Sequence, residues 1–264
     1  MQAKEQALKD VRLFVLDMDG TIYLGDRPIE GALEFVRDVE NTEGRDYLFF
    51  TNNASKVPAS YVDKLRKMGF HATKDRIMTA GDVSAEYFLR NDPGARVYLN
   101  GTTVLMENWR EKGILLVEED PDICVQSFDT ELTYHRLERI CHYVRNGVPF
   151  FATHMDTNCP TEDGYIPDCG AICRLITEST GVEPRFFGKP FKETVDMIAA
   201  VTGVAASEMG FVGDRLYTDV AVGVNNGAKG FLVLTGEADM ETVRNSDVEP
   251  TCIYESLGEM RKYL

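Results

Sequence analysis

The chain has 264 residues, 44% of them hydrophobic and 27% charged, enough for one large domain or two modest ones with a sizeable core. Its 43 acidic against 28 basic residues leave a net charge of −15, which argues against a nucleic-acid partner and an anionic membrane surface, both of which attract basic protein. A small phosphorylated ligand stays open, because a few local donors and a metal ion can outweigh a negative surface.

The opening "MQAKEQALKDVRLF" lacks the apolar core of a signal peptide. No stretch approaches the roughly 18 consecutive apolar residues of a membrane span. A cytoplasmic protein is expected, with its six cysteines (124, 141, 159, 169, 173 and 252) reduced and mostly buried. "VRLFVL" (11–16) then reads as a strand, its nearly continuous apolar run suited to a parallel strand covered on both faces. "IEGALEFVRDVE" (29–40) predicts a helix with Ile29, Leu33, Val36 and Val39 on one stripe. "YLFF" (47–50) is a second strand, and "PASYVDKLRKMGF" (58–70) a helix started by Pro58 and stopped at Gly69.

A second rhythm follows. "RVYL" (96–99), "ILLVEE" (114–119), "ICVQSF" (123–128) and "PFFAT" (149–153) predict strands. "VLMENWREKG" (104–113), "YHRLERICHYVRNG" (134–147) and "CGAICRLITESTG" (169–181) predict helices, the last stopped by Gly181. The acidic "VEEDPD" (117–122) is a solvated turn. "MGFV" (209–212) and "GFLVL" (230–234) return to the strand pattern of the first section. The expected fold is therefore α/β: a doubly wound parallel-sheet core over 1–79 and 183–264, with a second α/β unit, 80–182, inserted as a cap.

Ligands of open parallel sheets bind outside the carboxyl ends of the strands. Four polar clusters sit there: Asp17-Met-Asp19-Gly-Thr21, Thr51-Asn-Asn53, Gly188-Lys-Pro190 and Gly213-Asp-Arg-Leu-Tyr-Thr-Asp219. If those strands are neighbours, at least four carboxylates share one crevice with a lysine, and they cannot all ionise cheaply unless a cation joins them. Carboxylate and carbonyl ligands suit Mg²⁺, and the clusters' lack of His or Cys counts against Zn²⁺. Asp17 and Asp19 would point to opposite faces of an extended strand, so they can share a target only if the chain turns just after Asp17, a freedom Gly20 provides. One carboxylate can then attack phosphorus while the other handles protons. Lys189 and Thr51 are suited to the charge and positioning that phosphoryl transfer requires.

In order, DMDGT, TNN, GKP and GDRLYTD resemble the four motifs of the haloacid dehalogenase (HAD) superfamily of phosphohydrolases. The insertion, with its "FFATHMD" and "GYIPDCGAICRLI", resembles the cap of subfamily IIA, the NagD-like and p-nitrophenyl-phosphatase-like group. The resemblance implies a Mg²⁺-dependent phosphohydrolase of small phosphomonoesters such as sugar phosphates or nucleoside monophosphates. It implies Asp17 as nucleophile and Asp19 as general acid, then base. Mg²⁺ would be held by the Asp17 carboxylate, the Asp19 carbonyl and the Asp214 carboxylate. Thr51, Asn52 and Lys189 would bind the phosphoryl group, Asp219 would orient the lysine or a metal-bound water, and a homodimer is open. In the cap, His154 stands where the family commonly has asparagine, and His154 and Asp156 are the candidates for substrate contact, with a hydrogen-bonded loop role for His154 as the alternative.

Two other readings compete. A receiver-like phosphoacceptor also groups acids, Thr and Lys around Mg²⁺, but receivers are shorter, lack an inserted cap and have no counterpart of Asp19. His154, Cys159, Cys169 and Cys173 contain no CxxC pair, so buried thiols are expected there rather than a zinc site.

Overall fold

The computed structural model describes residues 2–161 and 163–264, which divide into two compact units. Unit 1 comprises Met1–Thr51, Pro58–Met78 and Lys189–Leu264; unit 2 comprises Asn52–Val57 and Thr79–Gly188. The chain thus changes unit at 78/79 and 188/189, where the sequence suggests 79/80 and 182/183, and the short segment after Thr51 groups with the inserted residues. Among the described residues no helix is long and apolar enough to cross a membrane.

The sheet of unit 1 has the spatial order Cys252–Tyr254, Lys229–Val233, Met209–Gly213, Leu13–Asp17, Asp46–Thr51, Ile77–Thr79. Leu13–Asp17 pairs in parallel with both Met209–Gly213 and Asp46–Thr51, in register Leu13 to Met209 and Leu13 to Asp46. Numbered along the chain, this is the 3-2-1-4-5-6 order of a doubly wound sheet, and the order reverses between Leu13–Asp17 and Met209–Gly213. Leu13–Leu16 and Met209–Gly213 are apolar and buried at every position, as suits strands covered on both faces. Helix Ala32–Glu40 buries Ala32, Phe35, Val36 and Val39, and the Phe35 ring meets Phe14 edge-on at 5.4 Å. Phe35 therefore takes the place in the buried stripe that the sequence assigns to Leu33, which is half-buried against the same core. Helix Pro58–Lys67 begins and ends as its Pro and Gly predict, burying Tyr61, Val62 and Leu65.

Unit 2 builds its own parallel sheet in the order Arg185–Phe186, Phe150–Ala152, Ile123–Gln126, Arg96–Asn100, Leu115–Leu116. Numbered along the unit this is 2-1-3-4-5, the other common doubly wound order. Helices Thr103–Glu111, Tyr134–Arg145 and Cys169–Thr180 lie where the sequence predicts them, the last ending at Gly181. Of the predicted strand 114–119 only Leu115–Leu116 forms, since the acidic residues that follow stay solvated instead of joining the sheet edge. A helix over Ala80–Asn91, closed by a Thr79–Asp82 capping box, and a hairpin of Asn158–Thr161 with Gly164–Pro167 were not foreseen.

All six cysteines are free thiols, four of them buried. Trp109 is fully buried, edge-on to Phe88 at 6.1 Å, and its indole N–H has no hydrogen-bond partner. Truncating it removes packing, whereas replacing it with a smaller ring also removes an unsatisfied donor. Trp109→Ala should therefore lower the unfolding free energy by about 3–5 kcal/mol, and Trp109→Phe by less than about 2 kcal/mol, read from urea unfolding.

Candidate active site

Register places the site. Asp17 is the last residue of its strand and lies opposite Phe50, so Thr51 and Asp214 follow one row further on, flanking the exit. The chain then turns at Gly20, whose backbone has φ +85°. A Cβ there would lie 2.5 Å from Asp214 Oδ2, so only glycine fits beside that carboxylate.

The motif Gly213–Asp219 owes its spacing to a wide π-type turn over Leu216–Val220. The amide of Val220 donates to the carbonyl of Arg215 at 3.2 Å, and this turn swings Asp219 back so that its Oδ2 accepts from the Arg215 amide at 3.0 Å. Asp17, Asp214 and Asp219 thereby bring one carboxylate oxygen each to within 4.8 Å of one another. Lys189, the first residue of the returning segment of unit 1, places its Nζ 2.5 Å from Asp17 Oδ1 and 2.6 Å from Asp219 Oδ1. Thr21 Oγ1 lies 3.5 Å from Asp17 Oδ2.

The electrostatics follow from burial. Asp17 is only 14% exposed at its side chain; burial and then the Asp219 charge push its pKa up to about 8 against the opposing pull of Lys189. Burial and Asp219 likewise push Asp214 up to about 6. Burial alone would lower the Lys189 pKa, but Asp17 and Asp219 outweigh it and hold the ammonium charged. One ammonium does not balance three carboxylates. Asp214 Oδ2 accepts from the Glu237 amide at 2.7 Å, but Oδ1 is buried without a hydrogen-bond partner. An all-oxygen donor set with one orphaned buried oxygen fits a hard divalent cation.

Of the residues singled out in the sequence, Asp17, Lys189, Asp214, Asp219 and Gly20 come together in unit 1, with Thr51 at the end of the adjacent strand. Asp19 is exposed, and its backbone bridges to Tyr23. The turn Thr235–Glu237 was missed: Thr235 Oγ1 donates to the Gly20 carbonyl at 2.6 Å, and Arg215 Nε pairs with Glu237 at 2.9 Å. Its signal was present, since "TGE" stands at the carboxyl end of the strand read in "GFLVL".

Asn52, His154 and Asp156 belong to unit 2. Asn52 Nδ2 donates to Asp156 Oδ2 at 3.2 Å. His154 is fully buried, with Nδ1 3.0 Å from Thr153 Oγ1 and Nε2 2.8 Å from Asp168 Oδ1. Burial would lower its pKa, but Cys169, then Asp168 and Asp156, push it up to about 9, making it an imidazolium at neutral pH. Asp168, which also caps helix Cys169–Thr180, was not foreseen as its partner. Cys169 and Cys173 are buried in the core of unit 2, while half-exposed Cys159 on the hairpin approaches Asn53 Nδ2 at 3.7 Å.

Comparisons with known proteins identify the family to which this fold belongs. Residues 14–115 match the family model of haloacid dehalogenase-like hydrolases, and residues 186–260 match a second, HAD-hydrolase-like model. An acid sugar phosphatase of Staphylococcus aureus is 36% identical over 255 residues, 96% of this chain and 97% of the relative. The crystal structure of a 4-nitrophenylphosphatase from Thermotoga maritima superposes with a TM-score of 0.92 at 41% identity, covering 97% of this chain and 98% of that one. NagD of Escherichia coli K-12 shares the fold, with a TM-score of 0.88 at 24% identity over 94% and 98% of the two chains. The chain belongs to the haloacid dehalogenase-like hydrolases, as a phosphatase of subfamily IIA, the NagD-like and p-nitrophenylphosphatase-like group. Turnover rather than phosphate retention, the receiver-like alternative, is thus the chemistry of its group.

The raised Asp17 pKa gives a test with a defined sign. The unfolded chain releases this proton near pH 4 (about the free aspartate value), whereas the fold without a divalent ion holds it to about pH 8. The fold therefore binds more protons across that window and loses stability as pH rises through it, by up to about 1.4 kcal/mol per pH unit. Asp214 adds to the loss below about pH 6, while Lys189, raised rather than lowered, loses nothing in this range. Thermal melts in EDTA should fall from pH 5 to 8 in the wild type and stay flatter in Asp17→Asn.

Proposed function

We propose that this phosphatase hydrolyses small phosphomonoesters, sugar phosphates among them, with Mg²⁺ and through an aspartyl-phosphate on Asp17. The observation carrying this reading is the convergence of Asp17, Asp214 and Asp219 on one point beside the Lys189 ammonium, with a buried Asp214 oxygen unpartnered. The small-ester substrate class follows the names of the relatives, an acid sugar phosphatase and a 4-nitrophenylphosphatase.

Asp17 and Asp214 carboxylates and the Asp19 carbonyl would hold the ion, which supplies charge neutralisation at the phosphoryl oxygens when bound. Lys189, 2.5 Å from Asp17, opposes the burial that favours its acid form, and a bound divalent ion would complete the ionisation that the lysine alone does not achieve. The Asp17 carboxylate then attacks phosphorus as the ester oxygen leaves, and Asp19 gives that oxygen its proton. Asp19, now a carboxylate, takes a proton from the water that attacks the acyl phosphate, returning Asp17 and inorganic phosphate. Its exposure suits a group that exchanges protons with each substrate and water. Thr51 and Asn52 donate to the phosphoryl oxygens, and Lys189 follows their growing charge. Asp219 holds the lysine at 2.6 Å. Leaving-group selection is assigned to the inserted unit. There His154, with both ring nitrogens engaged, supports the loop, and Asp156 is the candidate for contact.

With p-nitrophenyl phosphate and Mg²⁺, Asp17→Asn should lower kcat by about 10³-fold or more, and EDTA should abolish turnover of the wild type. A robustly active Asp17→Asn protein sinks the nucleophile assignment. Asp19→Asn should cost about 10²–10⁴-fold. Because p-nitrophenolate leaves without protonation, this variant should release a burst of product and accumulate phospho-Asp17, seen as a mass increase on acid quench. Absence of both burst and adduct would remove Asp19 from the second step.

A further inference from the structure

We infer that the turn Thr235–Glu237 is the positioning element for the Asp214 carboxylate, with Thr235 and Glu237 deciding which of its oxygens faces the ion and Arg215 latching the turn. This rests on the proposed reading of Asp214 as a metal ligand.

Four features tie this turn and the residue after it to Asp214 and to Gly20 beside it. The Glu237 amide donates to Asp214 Oδ2 at 2.7 Å, which occupies that oxygen and leaves the buried Oδ1 alone without a partner. The Ala238 amide donates to the Asp214 carbonyl at 3.1 Å, so the turn grips main chain and side chain of the same residue. At Gly236 a Cβ would lie 2.0 Å from Asp214 Oδ2, so the backbone presses directly on the carboxylate. Thr235 Oγ1 donates to the Gly20 carbonyl at 2.6 Å, joining the turn to the loop that carries Asp19.

Arg215 closes the arrangement. Its Nε lies 2.9 Å from Glu237 Oε2, while its own amide donates to Asp219. The residue after the ligand thus ties the turn to the acidic motif from its outer side. Tyr217 approaches the same Glu237 oxygen at 3.5 Å. A monodentate carboxylate whose second oxygen is held by an amide has one orientation available, and a hard ion with strict geometry rewards that restriction. The turn contributes no group to the reaction; it acts through Asp214 and Gly20.

Thr235→Val keeps the side-chain shape and deletes the donor, whereas Thr235→Ser keeps the donor. Calorimetric titration of EDTA-stripped protein with MgCl₂ should show Thr235→Val binding about 10-fold more weakly and Thr235→Ser close to wild type. Glu237→Ala, which frees Arg215, should weaken binding in the same direction. In turnover the loss should appear as a higher half-saturating Mg²⁺ concentration, recovered at high Mg²⁺, a split that a general packing defect would not produce. Unchanged Mg²⁺ affinity in folded Thr235→Val, or in Glu237→Ala should the valine variant fail to fold, overturns the inference. Asp214→Asn separates the two layers. If it binds Mg²⁺ as the wild type does, the metal reading falls; if it loses binding while Thr235→Val does not, only the positioning role falls.

Discussion

One buried ammonium organises the site. Lys189 stands between Asp17 at the end of the central strand and Asp219 on the turn after the neighbouring strand, 2.5 and 2.6 Å away. Burial, and then mutual repulsion of three acids near one point, favour protonation, and the upward shifts of Asp17 and Asp214 register that cost. Withdrawing one partner from such a buried group leaves an uncompensated charge, typically worth about 3–5 kcal/mol. The lysine is also the first residue of the segment that re-enters unit 1, so the insertion ends where the charge is needed.

The remaining constraints are steric. The carboxylate of Asp214 is enclosed by two backbone segments, at Gly20 and Gly236, where any side chain would collide with it. The π-type turn that follows supplies the extra residue that brings the Asp219 carboxylate back to accept from the Arg215 amide. Polar groups at strand ends are thus placed by main-chain geometry more than by side-chain choice. The doubly wound order makes this economical, because the reversal between the strands of Asp17 and Asp214 leaves a crevice at their carboxyl ends.

Much of this could be read along the chain. Continuous apolar runs ending in polar clusters identify parallel strands and the side of the sheet that carries chemistry, since only strands covered on both faces are so uniformly apolar. The helices with Pro starts and Gly stops were legible for the same reason of local geometry. Less legible were features whose partners lie far away in sequence. Phe35 rather than Leu33 faces the core because of where Phe14 sits, and "ILLVEE" shortens to two strand residues because it lies at a sheet edge. His154 stands out along the chain as a departure in a loop, but its enclosure by Thr153 and Asp168 depends on a helix cap fourteen positions on.

By itself the sequence determined the chemistry on offer: the order of four strand-end motifs, the acidic pair around Met18, and an inserted α/β segment. Those depend on residue type and spacing, which a chain carries before it folds. The tertiary structure alone decided which acids meet, which Asp214 oxygen is left open, and that Asn52 groups with the inserted unit rather than with Thr51 beside it. Such outcomes depend on sheet order, register and the close approach of distant backbones, and no local pattern encodes them.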